Sequence, residues 1–134
     1  DKDYTGSKKR QDMSRRVEIL KKAKPDIVIS IHLNQFSQPQ YFGAQTFYMK
    51  GSEEGEQLAE CIQQQLIRIL NRGNKRQIKA ADNFLILKAV ESPSVIVECG
   101  FLSNPQEEAL LTTDDNQDQV AWAIYCGIVS YLSR

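Results

Sequence analysis

The sequence predicts an α/β fold with a mostly parallel sheet and helices on both faces. Two short runs, Ile27-Val28-Ile29-Ser30-Ile31 and Val95-Ile96-Val97, are rich in β-branched residues. Both are apolar on either side, as strands covered on two faces are. Between them lie segments whose apolar residues recur every three or four positions, the mark of one buried helix stripe. Strands and helices alternate along the chain, which argues for layered α/β architecture.

Taken in order, residues 1–7 are polar, contain Gly6 and read as a loop. From Ser7 to Lys24, Met13, Val17, Leu20 and Ala23 form one apolar stripe on a basic helix. Pro25 ends it, because the residue before proline is pushed out of the helical region. A strand over Asp26–Leu33 follows, then a loop over 34–42 and a strand over Ala44–Met49. Ser52 caps the next helix, with Glu53, Glu54 and Glu56 in the first turn where the helix dipole favours anions. Its stripe is Leu58, Cys61, Ile62, Leu66, Ile69 and Leu70, and Gly73-Asn74 breaks it. Residues 75–83 are polar and read as loop, and Phe84–Leu87 reads as a short strand. The apolar strand over 94–100 comes next. Asn104 and Pro105 suit an N-cap and first helical residue. The last helix opens at Asp114 or Asp115 and turns Val120, Ala123, Ile124, Gly127, Ile128 and Leu132 inward.

The chain has 134 residues, which suits one domain or part of a larger one. Lys plus Arg equals Asp plus Glu at 17 each, so no charge excess points to a nucleic-acid partner. With 41% apolar and 25% charged residues the chain is neither disordered nor fibrous. No apolar run approaches the length of a transmembrane segment. No basic-then-apolar leader opens the chain. It starts at Asp1 without a methionine, which suits a processed or trimmed form. Cys61, Cys99 and Cys126 are an odd count with no CxxC pair, so they read as small core residues.

Two residues carry candidate chemistry. His32, the only histidine, ends the first apolar strand, and Glu98 ends another. An ionisable group there carries a desolvation cost unless something pairs with it. Ligands of open parallel sheets bind beyond the carboxyl ends of the strands. If the two strands are parallel neighbours, His32 and Glu98 converge on one edge, where they can bind a metal or move protons. The alternatives are a satisfied core histidine and a glutamate paired with an arginine such as Arg16. Phe36, Tyr41 and Phe42 either line a groove or close the lower edge of the core.

Two motifs go further. Ser30-Ile31-His32-Leu33-Asn34 resembles the S-I-H-x-N motif of the zinc-dependent N-acetylmuramoyl-L-alanine amidases of the Amidase_3 type. The stretch from Pro93 to Asn104, with Glu98-Cys99-Gly100-Phe101-Leu102-Ser103-Asn104, resembles that family's E-x-G-F-x-S-N motif behind its apolar strand. Gly43–Tyr48 resembles the family strand between them, and Arg16 sits where an arginine commonly lies. The likeness runs in order over about residues 8–132. The basic segment Lys8-Lys9-Arg10 resembles, more weakly, the spore-cortex amidases of endospore formers.

The resemblance implies hydrolysis of the amide between N-acetylmuramic acid and L-alanine of the peptidoglycan stem peptide. It implies zinc held by two histidines and a glutamate, with a further glutamate as general base and acid. His32 matches the second metal histidine and Glu98 the catalytic glutamate. Asn34 is expected to support the motif loop or the metal shell, or only to bond to backbone. Ser103 and Asn104 are expected to shape the turn and cap the helix after it. Peptidoglycan as partner implies the cell envelope or the outside of the cell, with the spore cortex as the narrower version. The likeness also leaves room for an activator protein.

The family's D-P-G-H-G motif and the metal glutamate of the helix after it are not in this sequence. Residues 1–134 therefore match the C-terminal part of a single catalytic domain, with the N-terminal strand–helix–strand part missing. One histidine cannot make a tight zinc site, since zinc needs three or four donors. The other two are expected upstream of Asp1, with Asp82 or Glu91 as unsupported substitutes. The 134 residues alone are expected to have little or no amidase activity. They should leave a sheet edge and an apolar face for the missing part, a second polypeptide or an oligomer contact. The competing classes are a metal-free peptidoglycan-binding or regulatory module of the same fold, and a zinc exopeptidase or deacylase.

Overall fold

The computed structural model describes residues 6–34 and 38–134, with side chains from Lys8 onward. Its elements in chain order are α1 (Gly6–Ala23), β1 (Val28–Asn34), β2 (Gln45–Met49), α2 (Glu53–Leu70), β3 (Lys79–Ala81), α3 (Leu85–Lys88), β4 (Ser94–Phe101), α4 (Pro105–Leu111) and α5 (Asp114–Leu132). The four strands form one sheet in the order β1-β4-β2-β3. β1 runs parallel to β4 and β2 parallel to β3, while β2 runs antiparallel to β4. The predicted α/β fold with a mostly parallel sheet is therefore present, with one antiparallel seam inside it.

β4 lies between two strands, and six of its eight residues other than Glu98 and Ser94 are apolar or glycine and buried. On one face, Val95, Val97 and Cys99 join Leu58, Ala59, Ile62 and Leu66 of α2 and Val120, Ala123, Ile124 and Tyr131 of α5 in the main core. α2 and α5 pack closely because position 127 is glycine: a Cβ there would lie 2.6 Å from Ile62 Cα. On the other face Phe47, in register with Ile96, meets Phe84 with ring centroids 5.7 Å apart. Ile86 and Leu87 of α3 are buried beneath α1 on that side. Helices thus cover both faces.

Capping residues act as the sequence predicts. Ser52 Oγ accepts from Gly55 N at 2.9 Å, and Asn104 Oδ1 accepts from Gln106 N and Glu107 N at 3.0 and 3.1 Å. Lys24, at φ 48°, ends α1 ahead of Pro25.

Four expectations need correction. Phe84–Leu87 is not a strand; Leu85–Lys88 is a helical turn. A four-residue apolar run has no decisive period, and here packing chose the helix. Lys79–Ala81, read as loop, is a short strand because β2 offers it a pairing edge. Leu132 faces outward at 66% exposure rather than inward. Of the three cysteines only Cys99 is buried; Cys61 and Cys126 are half-buried.

β1 is an edge strand. Ile31 and Leu33 are exposed on the α5 face, so the apolar run there is covered only in part. This matches the uncovered edge and apolar face the sequence predicts.

Candidate functional site

The site is built by the register between β1 and β4. His32 pairs directly with Glu98 across the parallel ladder. Registered residues on neighbouring strands point to the same face, and the strands lie about 4.8 Å apart. Both residues sit near the carboxyl ends of their strands, on the face that carries α3. The ladder is irregular between His32 and Asn34, where pairing resumes at Phe101. Leu102 N donates to Asn34 O at 2.7 Å, which ties the two strand ends together just past the site.

Each ring and carboxylate has a distinct neighbourhood. Ser30, two residues before His32 and therefore on the same face, lies with its Oγ 2.8 Å from His32 Nε2. Glu98 has one buried oxygen, Oε2, with no hydrogen-bond partner. Burial pushes the Glu98 carboxyl above its ordinary value, and the charge of neighbouring His32 opposes part of that rise. Arg16 does not supply the missing partner: its Nε pairs with Asp12 at 3.2 Å, one turn back on α1.

Gln45 of β2 stands in register opposite Glu98 on the other side of β4. Arg76 Nη1 donates to Gln45 Oε1 at 3.3 Å, and Arg76 Nε donates to Phe42 O at 2.7 Å. The Arg76 guanidinium also lies 4.7 Å from the centroid of the Phe101 ring. A groove lined by Tyr41, Phe42, Asn74 and Arg76 therefore adjoins Gln45. Tyr41 and Phe42 are exposed there, and Phe36 lies outside the described residues. Arg76 carries no signal in the sequence. It sits in a polar loop with no period, and only the fold brings that loop over β2.

A second carboxylate holds this end of the sheet. Glu107, at the start of α4, is 4% exposed. Its Oε1 accepts from Gly43 N at 2.7 Å and from Phe101 N at 3.1 Å, and Arg72 Nη1 lies 4.0 Å from Oε2. Gly100 leaves room for it, since a Cβ there would lie 2.8 Å from Glu107 Oε1. Asn104 caps the helix that presents it, as expected for the Ser103-Asn104 turn. Buried Gln63 does similar work behind β2. It accepts from Thr46 Oγ1 and donates to Ala44 O and Arg76 O, each at 3.0 Å.

The residues present fit a zinc site only in part. An imidazole beside a buried, unpartnered carboxylate oxygen is a donor set of the right chemistry. Among the described residues, however, no group of three or more His, Cys, Asp or Glu side chains is placed to hold a metal. Neither Asp82 nor Glu91 therefore completes one with His32, and zinc needs at least three protein donors.

Residues 2–130 match the protein family described as N-acetylmuramoyl-L-alanine amidase. The chain belongs to this amidase family. It is 36% identical over 127 residues to the germination-specific N-acetylmuramoyl-L-alanine amidase of Bacillus subtilis, a match covering 95% of this chain and 53% of that protein. The fold agrees with the structure of the CwlD amidase from Clostridioides difficile in complex with the GerS lipoprotein. There the TM-score is 0.93 at 42% identity, covering 99% of this chain and 68% of that one. The catalytic domain of the CwlV amidase from Paenibacillus polymyxa var. colistinus matches with a TM-score of 0.81 at 29% identity, over 90% of this chain and 65% of that one. The chain thus spans about half the length of the Bacillus amidase. Among the described residues, no helix is long and apolar enough to cross a membrane.

Proposed function

We propose that the intact protein is a peptidoglycan amidase and that residues 1–134 are the C-terminal part of its single catalytic domain. It cleaves the amide between N-acetylmuramic acid and L-alanine of the stem peptide. The observation that carries this reading is the Glu98 carboxylate, half out of water, in register with His32 and keeping one oxygen unpartnered. Membership of the amidase family supports the choice of substrate.

Glu98 is the general base and then the general acid. Its carboxylate takes a proton from the attacking water and returns it to the leaving amine. Burial suits it to this, because a carboxyl raised above its ordinary value is a stronger base for the attacking water's proton. His32 would hold zinc from this chain, with two further ligands from the part of the protein outside it. Zinc bound there would lower the pKa of a water and polarise the scissile carbonyl. Asn34 supports the loop that follows His32, where its carbonyl already anchors Leu102. The glycan lies along the groove at Tyr41 and Phe42, whose exposed rings offer flat apolar faces.

The likeness to a germination-specific amidase supports action at the cell envelope, in the spore cortex in particular, by a secreted protein. The Clostridioides amidase is in complex with a lipoprotein, which supports an accessory protein as a further partner here.

The test uses the intact protein with zinc and soluble muropeptides. Glu98→Gln should abolish hydrolysis and keep the metal, while His32→Ala should lose the metal. Zinc lost from the glutamine variant would reverse these roles. Turnover of free dipeptides but not muropeptides would make the protein an exopeptidase. Muropeptide binding without metal or turnover would make it a binding module.

A further inference from the structure

The loop between α2 and β3 holds two arginines whose partners differ. Arg72 faces the buried carboxylate of Glu107. Arg76 faces only neutral acceptors: its Nε donates to Phe42 O and its Nη1 to Gln45 Oε1. Among the described residues, Arg76 Nη2 has no acceptor, and no carboxylate lies within ion-pair distance of the guanidinium. Yet the side chain is half-buried and fixed. Its guanidinium lies 4.7 Å from the Phe101 ring centroid and 5.9 Å from that of Tyr41. A cation partly out of water with only neutral partners carries a desolvation cost that a carboxylate would offset.

We propose that Arg76 is a specificity residue of the hydrolytic site, which binds through Nη2 a carboxylate on the stem-peptide residue that follows L-alanine. The inference rests on the amidase reading, which supplies the substrate. The groove beside Gln45 is lined by two unlike segments. Tyr41 and Phe42 offer rings to the glycan, Lys75 and Arg76 supply two cations, and no acid lines the groove. Gln45 ties the cationic segment to the chemistry, because it stands in register with Glu98 one strand away, about 4.8 Å. The reach agrees. In an extended chain a carboxylate on the residue after L-alanine lies roughly 6–8 Å from the leaving nitrogen. Phe42 O, Gln45 and the Phe101 ring hold the guanidinium before substrate arrives, so binding costs little side-chain entropy. A carboxamide in the same place lacks the charge and turns a donor toward a group that can only donate.

Paired muropeptides that differ only in a carboxylate or a carboxamide on that residue test the proposal. Binding is read by calorimetry on the intact protein with zinc, carrying Glu98→Gln so that substrate is not turned over. The carboxylate form should bind at least about tenfold tighter. Adding Arg76→Gln should bring that preference below about threefold by weakening the carboxylate form alone. With Glu98 restored, the same ratio should appear in kcat/KM. Equal affinity for the two muropeptides before Arg76 is changed would overturn the proposal, as would binding of neither. So would an equal loss for both forms in Arg76→Gln, which is what a clamp on Phe42 and Gln45 alone would produce. Should the glutamine variant fail to fold, Arg76→Lys decides, since it keeps the charge and loses the planar fork. Its preference should fall at least about threefold, and an unchanged preference would overturn the proposal. Preferential binding of the carboxylate form without hydrolysis of either by the wild type would sink the amidase reading alone.

Discussion

Two glutamates sit at the carboxyl end of β4, and their surroundings are opposite. Glu107 is almost wholly buried, yet it accepts two backbone N–H groups and lies near Arg72. Glu98 is less buried, yet one of its oxygens has no donor at all. The first carboxylate is held by groups that have nowhere else to bond. It joins α4, the end of β4 and the turn before β2. The second stands in strand register with His32, and its Oε2 has no hydrogen-bond partner. The difference teaches that burial does not separate a structural carboxylate from a chemical one. The number of satisfied oxygens does.

Substitutions can break this contrast. The largest effect on stability is expected at Glu107. Glu107→Ala leaves Gly43 N and Phe101 N buried without an acceptor and Arg72 without its carboxylate, which should cost about 3–5 kcal/mol. Urea denaturation of the intact protein gives the value, and a loss below about 1 kcal/mol would mean that water replaces the carboxylate. By contrast, Glu98→Gln should leave the denaturation midpoint unchanged or slightly raised while hydrolysis is abolished, a loss of at least about 10²–10⁴. A destabilised glutamine variant would show that Glu98 has a structural bond after all.

The pH dependence sharpens the same contrast. The folded value of Glu98 lies above its ordinary 4.5, and the cause is burial. Between 4.5 and the raised value the folded chain keeps a proton that the unfolded chain has released. Stability therefore falls as pH rises through that window and returns as pH drops. Glu98→Gln should remove this slope, read as the wild-type minus variant midpoint across pH 4 to 7. A difference that does not change with pH would deny the raised value. The smallest effect belongs to Arg16. Its exposed pair with Asp12 predicts less than about 0.5 kcal/mol lost in Arg16→Ala, with the Glu98 slope intact. A changed slope would restore Arg16 as the partner of Glu98.

Much of the site was legible because strand ends announce themselves. His32 and Glu98 each break an apolar run, and a charge there needs a reason. The capping residues Ser52 and Asn104 were readable because a cap is a local hydrogen bond. Arg76, Gln45 and Gln63 were not. Each is an ordinary polar residue whose partner lies more than ten residues away, and no local pattern marks it. The exposed apolar side chains of α5 were hidden for a different reason: two apolar faces on one helix blur the stripe that marks the inner one. Leu132 continues the inner spacing in sequence, yet it is exposed.

Local chemistry alone determined the alternation of strands and helices, their caps and the two ionisable strand ends, since each depends on neighbours within a few residues. Only the folded chain decided that β1 and β4 lie side by side in a register that pairs residue 32 with residue 98. It also decided that β2 enters antiparallel and that Leu85–Lys88 coils rather than extends. Register, direction and the fate of short apolar runs follow from long-range packing, where every alternative offers the same local bonds and only the shared core distinguishes them.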